Sequence, residues 1–222
     1  MRQTTLSKIY RKLFDYFGAQ GWWPADSPFE VMVGAILTQN TNWQNVEKAI
    51  LALKKKGLLE PEKLYKLPQK KLARFIRPAG YFNIKAGRLR EFLNFFHQSF
   101  KGDIARMKKV PLSRLRSELL KVKGIGKETA DSILLYALDK PIFVVDAYTK
   151  RVLLRHRLIS PDASYDDIQK LFLEHLPRDR KLFNEFHALL VRLGKDYCLK
   201  NNPRCDVCPL GQDGFLSKTT RV

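Results

Sequence analysis

The chain has 222 residues, 41 of them Lys or Arg against 22 Asp or Glu, giving a formal net charge of +19 at pH 7. With 45% hydrophobic and 11% aromatic residues it can bury a substantial core, which excludes a disordered basic tail as the main account and suits one large or two small domains. Charge of this sign and size selects polyanionic partners, nucleic acid before anionic membrane, because neutralised phosphates release condensed counterions.

The N-terminus MRQTTLSKIYRKLF has no apolar core of the kind a secretory signal needs. Ile9, Leu13, Tyr16 and Phe17 then recur at helical spacing, and Asp26-Ser27-Pro28 supplies cap residues and a first-turn proline before Phe29, Val33, Ile36 and Leu37. The apolar runs Val31–Leu37 and Ser132–Leu138 fall well short of the roughly 20 residues of a membrane span. A cytoplasmic protein without membrane contact is the reading. Pro111 opens a helix carrying Leu112, Leu115, Leu119 and Leu120, and Pro161-Asp162-Ala163-Ser164 precedes another with Tyr165, Ile168, Leu171 and Phe172. Strand alternation is essentially missing, and the run Pro141–Val145 reads as a buried connector. The predicted fold is all-α: a bundle over 27–140, and a second helical layer from 1–26 plus 141–222.

Between Leu119 and Leu134 a leucine-rich helix runs into Gly124-Ile125-Gly126, and Lys127-Glu128-Thr129-Ala130 starts another. Two glycines permit positive φ and a close backbone approach, and the N–H groups opening the second helix can hold a phosphate, with Lys123 and Lys127 adding charge. A plain helix–turn–helix connector is the bland alternative. Twenty residues beyond Gly126, Phe143-Val144-Val145 ends on Asp146 before a basic helix, where a carboxylate serves either as a cap or as a reactive group.

Together, the hairpin and Asp146 resemble the helix-hairpin-helix DNA glycosylases of the endonuclease III superfamily. Three further segments match in order: Val33–Thr41 resembles the helix and turn that inserts a polar plug into DNA, with Gln39 and Asn40 as the plug. Arg77–Ala86 resembles the Gly-Tyr/Phe-x-x-Lys-Ala segment, and the C-terminal cysteines fall at the iron–sulfur loop. The resemblance implies a helix-hairpin-helix at about 112–138, an active site in the cleft between the two layers, and double-stranded DNA with a damaged base as the partner of a monomer. Lys123, Gly124, Gly126, Lys127 and Thr129 are then hairpin contacts to DNA.

In the family the acid at Asp146 is essential: a fixed carboxylate stabilises oxocarbenium character on the deoxyribose or activates water. Bifunctional members carry a Schiff-base Lys on the second hairpin helix, at the position of Glu128, and a carboxylate cannot form an imine. Lys127 lies about 100° around the helix. A monofunctional DNA glycosylase without AP-lyase activity is expected, Glu128 assisting water, recognising the base, or simply favouring the helix terminus. All three tryptophans lie close together in sequence, in Trp22-Trp23-Pro24 and at Trp43. Trp22, Trp23, Pro24 and Trp43 suggest an aromatic box for an extruded, electron-poor base. The combination is similar to the bacterial 3-methyladenine DNA glycosylases. Alternatives are a mismatch or oxidised-base glycosylase on the same scaffold and a non-catalytic damage-sensing protein.

Cys198-x6-Cys205-x2-Cys208 reproduces three ligands of the family's [4Fe–4S] loop, and Gly214 stands where the fourth belongs. A cluster with a non-cysteine ligand such as Asp213, a loop that no longer binds iron, and a loss compensated by packing all stay open.

Overall fold

The computed structural model describes residues 2–211. In chain order the helices are α1 (Arg2–Phe17), α2 (Pro28–Leu37), α3 (Trp43–Lys55), α4 (Pro61–Lys66), α5 (Gln69–Phe75), α6 (Phe82–Phe100), α7 (Ile104–Lys109), α8 (Leu112–Lys121), α9 (Lys127–Ser132), α10 (Ala147–Arg155), α11 (Tyr165–His175) and α12 (Arg180–Asp196). No strand occurs among the described residues, and no helix of theirs is long and apolar enough to cross a membrane. The chain divides into two compact units, one of Trp23–Lys140 and one joining residues 1–22 to 141–222.

The Trp23–Lys140 unit is built around α2. Ser27 Oγ accepts the N–H of Glu30 at 3.2 Å, Pro28 occupies the first turn, and every residue from Phe29 to Leu37 is buried. A helix apolar on all sides must be central, and α3, α6 and α9 all pack on it. Its one buried charge, Glu30, pairs with Lys54 at 2.7 Å, which also binds Asp26 at 2.8 Å. The long α6 buries Ala86, Leu89, Phe92, Leu93, Phe96 and Phe100 at three- and four-residue spacing, and Phe96 stacks on both Phe29 and Phe92. Each fully buried side chain of this size contributes about 1.5–3 kcal/mol. Arg90 of α6 donates to the carbonyls of Tyr65 and Leu67, fastening the end of α4.

Two helices, α8 and α9, form the predicted hairpin. Asp131 is fully buried and receives a two-pronged contact from Arg116, Nε to Oδ1 at 2.7 Å and a terminal nitrogen to Oδ2 at 3.0 Å. This ties the two arms across the turn. After Ser132 the helix widens into a π-helical turn, Ile133–Ala137, a form that appears frequently at functional sites.

In the other unit α10 lies along α12, and α1 packs on α11 and α12 through Leu6, Ile9 and Leu13. A methyl group on Gly194 would come within 2.5 Å of the Tyr148 ring, so glycine there lets α10 close on α12. The connector Ile142–Val145 is buried without being helical. Phe143 stacks on Phe172 at 3.6 Å between centroids, and its carbonyl accepts from Gln169 at 2.6 Å. A buried backbone segment outside regular structure needs such partners.

Candidate active site and nucleic-acid interface

The connector ends by delivering Asp146 to the start of α10. Oδ1 of Asp146 accepts the N–H of Thr149 at 2.7 Å, and the side chain is only 13% exposed. Asp146 is therefore a cap and at the same time a partly desolvated carboxylate. Its Oδ2 faces Nε2 of His187 at 3.7 Å. His187 sits on α12, 5% exposed, its ring edge against Phe143. Burial pushes its pKa down, and the nearby Asp146 offsets this only in part. Sequence reasoning missed His187, because a lone histidine on an apolar helix face carries no signal until the fold brings it to the acid.

Turn geometry separates the two hairpin glycines. Gly124 has φ +89, and a Cβ there would lie 2.4 Å from Arg88 Cγ. Gly126, by contrast, has φ −90 as the N-cap of α9, and a Cβ added there would meet no atom within 4 Å. Of the two, Gly124 alone uses the positive φ that glycine permits. Gly124→Ala is expected to cost about 1–3 kcal/mol, from left-handed backbone strain and displacement of Arg88. A denaturant midpoint measurement checks it, and Gly126→Ala serves as the near-neutral control.

The predicted DNA contacts divide into two groups. Lys123, Gly126, Lys127 and Glu128 are exposed. Thr129 is buried, and its Oγ1 accepts from Gln39 Nε2 at 2.9 Å. The same Gln39 nitrogen donates to Gly124 O at 3.0 Å, while Gln39 Oε1 accepts from Arg88. Gln39 and Thr129, expected as DNA contacts, are thus engaged in bracing the 38–41 turn against the hairpin. Asn40 is the exposed member of the proposed plug, held at φ +53. The Gly-Tyr-x-x-Lys-Ala segment presents Tyr81, 67% exposed at φ +45, a residue to which the sequence reading gives no role. Lys85, 1% exposed, links the two turns by donating to Leu37 O at 2.8 Å and Ala79 O at 2.7 Å. Burial, with Arg88 adding repulsion, lowers its pKa to about 8.

The aromatic residues are likewise sorted. Trp23 meets Trp43 edge-on at 5.2 Å and Tyr136 of the π-helical turn at 5.4 Å. Pro24 and Trp43 share the wall of a cavity of about 330 Å³ with Asp26, Glu30, Glu47 and Lys54. Trp22 belongs to the other unit, where Lys195 lies 5.8 Å over its ring. Within the Trp23–Lys140 unit, Trp23 and Trp43 of the expected box gather with Tyr136, and Pro24 lies beside Trp43.

At the C-terminal loop, Cys198 and Cys208 are buried and Cys205 is exposed. Asp213 and Gly214 lie outside the described residues. Among the described residues no three His, Cys, Asp or Glu side chains gather as a metal site, and a four-thiolate cluster cannot be completed from three cysteines. The loop is instead held by arginines of α10. Arg151 donates to Cys198 O and Gly194 O, and Arg155 to Cys198 Sγ at 3.2 Å and to the carbonyls of Leu199 and Lys200. The described residues supply three of the four ligands that a cubane cluster takes.

Similarity to known proteins agrees with this geometry. Residues 33–178 match the HhH-GPD superfamily of base excision DNA repair proteins. A Methanocaldococcus jannaschii chain described as a DNA repair glycosylase, MJ1434, is 50% identical over 95% of this chain and 96% of its own. Endonuclease III of Thermotoga maritima is 30% identical over 82% and 79%. Among solved structures, the 3-methyladenine DNA glycosylase MagIII of H. pylori, bound to 1,N6-ethenoadenine, superposes with a TM-score of 0.72 at 31% identity, covering 87% of this chain and 95% of that one. An endonuclease III–DNA complex shares the fold, with a TM-score of 0.79 at 23% identity over 93% and 92%. A braced helical hairpin, a capping acid after an apolar connector and these relatives converge: the chain belongs to the HhH-GPD superfamily of base excision DNA repair glycosylases.

Proposed function

We propose that the protein is a monofunctional DNA N-glycosylase that releases alkylated bases of the 3-methyladenine kind. The observation that carries this is the combination of a 13% exposed Asp146 with an acid, Glu128, in the first turn of α9 where bifunctional relatives would hold an amine. Water adds to C1′ of the deoxyribose as the C–N bond breaks. The base leaves with the bonding electrons, and Asp146 offsets the charge developing on the sugar and takes the proton from water. A cationic alkylated base departs neutral, so no second acid is needed. The Trp23–Trp43–Tyr136 cluster supports the substrate class, since aromatic faces attract cations by about 0.5–2 kcal/mol. The likeness to MagIII points the same way.

The test is a panel of duplexes carrying alkylated, oxidised or mismatched bases, together with methylated DNA. Release from the alkylated substrates, strand cleavage only after alkali and no borohydride-trapped adduct are expected. Release confined to oxidised or mismatched bases would refute the substrate class. A trapped adduct or alkali-independent nicking would refute the monofunctional chemistry.

A further inference from the structure

We infer that His187 is a positioning residue for Asp146, donating a hydrogen bond from Nε2 that fixes the orientation of the carboxylate during bond breaking. The inference rests on the role proposed for Asp146 and adds a residue to it. Three observations on different elements carry it. The carboxylate has two oxygens with unequal surroundings: Oδ1 is held by the Thr149 N–H at 2.7 Å, while Oδ2 has Nε2 of His187 at 3.7 Å. His187 stands on α12 and Asp146 at the start of α10, so the contact joins two helices that pack along each other. Gly194 and Tyr148 set how closely those helices approach.

Second, the site is dry. His187 is 5% exposed, its ring edge lies on Phe143, and Phe143 in turn stacks on Phe172. A hydrogen bond in such surroundings is stronger than in water. Third, burial favours the neutral imidazole, which can donate to a carboxylate without taking its negative charge away. That charge is what a developing oxocarbenium requires. The distance of 3.7 Å exceeds a hydrogen bond by about 0.8 Å, and contacts of this kind tighten when substrate fills the site.

The test compares His187→Met, which keeps bulk and removes the donor, with His187→Gln, which keeps an N–H near the position of Nε2. Single-turnover base release is measured on the substrate identified by the lesion panel, and affinity on a duplex with a 2′-fluoro lesion nucleotide that resists excision. His187→Met is expected to slow release about 10- to 100-fold with affinity changed less than about twofold, and His187→Gln to recover most of the rate. Release by His187→Met within about twofold of the unaltered protein, or His187→Gln as slow as Met, overturns the inference. Should the Met variant not fold, nitrogen NMR of the unaltered protein on the 2′-fluoro duplex decides: an Nε2–H tautomer supports the inference, an unprotonated Nε2 refutes it. Asp146→Asn separates the two levels. Undiminished release by that variant would remove the role of Asp146 itself, whereas loss of release with a normal His187→Met removes only the role of His187.

Discussion

Asp146→Asn is expected to lower the rate of base release about a thousandfold or more while leaving the fold and DNA affinity in place. The substitution suits this site because Asn caps helices as well as Asp: its Oδ1 can still accept the Thr149 N–H that Asp146 holds at 2.7 Å, so α10 keeps its start. What disappears is the negative charge. A carboxylate acting as both electrostatic partner and general base typically supplies factors of about 10²–10⁴ by either route. Unchanged thermal unfolding and duplex binding, measured beside single-turnover release, separate this from simple loss of structure. A variant releasing base at a tenth of the normal rate would demote Asp146 to a cap.

Arg116→Met is expected to cost about 3–5 kcal/mol, because it removes the two-pronged cationic partner of a fully buried carboxylate, that of Asp131. Arg116 itself is 22% exposed along its side chain, so methionine can follow the same path without overpacking. The loss is therefore electrostatic. The double change Arg116→Met with Asp131→Leu removes the buried charge as well and is expected to regain most of the stability. Chemical denaturation of the three variants measures the coupling directly. Since the pair bridges α8 and α9, the single variant should also weaken duplex binding, whereas a surface change such as Lys121→Met should leave stability nearly untouched.

Much of this was legible in the sequence. The capping residues Ser27 and Ser164, the buried connector ending on Asp146 and the hairpin turn at Gly124 are local features, each fixed by a few neighbouring residues, and the structure shows them where the residue types put them. What the sequence did not disclose depends on contacts between distant segments. The resemblance of Val33–Thr41 to the family's plug-bearing turn implies a DNA contact for Gln39, yet its amide is met by Arg88, Gly124 and Thr129, residues 49 to 90 positions away. His187 was invisible for the same reason, far along the chain from the acid that gives it meaning. Tyr136, likewise remote in sequence, is the ring that Trp23 meets beside Trp43.

The arginines give the charge excess a different meaning. Arg88, Arg90, Arg116, Arg151 and Arg155 each spend their N–H groups on carbonyl or side-chain oxygens inside the fold. Their charge still adds to the field that draws the protein toward a polyanion, while part of their hydrogen-bonding capacity is committed inside the fold. Exposed lysines such as Lys70, Lys71 and Lys123 and exposed arginines such as Arg74, Arg77 and Arg114 share the surface charge, an ammonium meeting phosphate as a point charge and a guanidinium as a planar fork. The field that attracts a polyanion at a distance is therefore the sum of the committed and the exposed basic groups, whereas direct contact falls to the exposed ones.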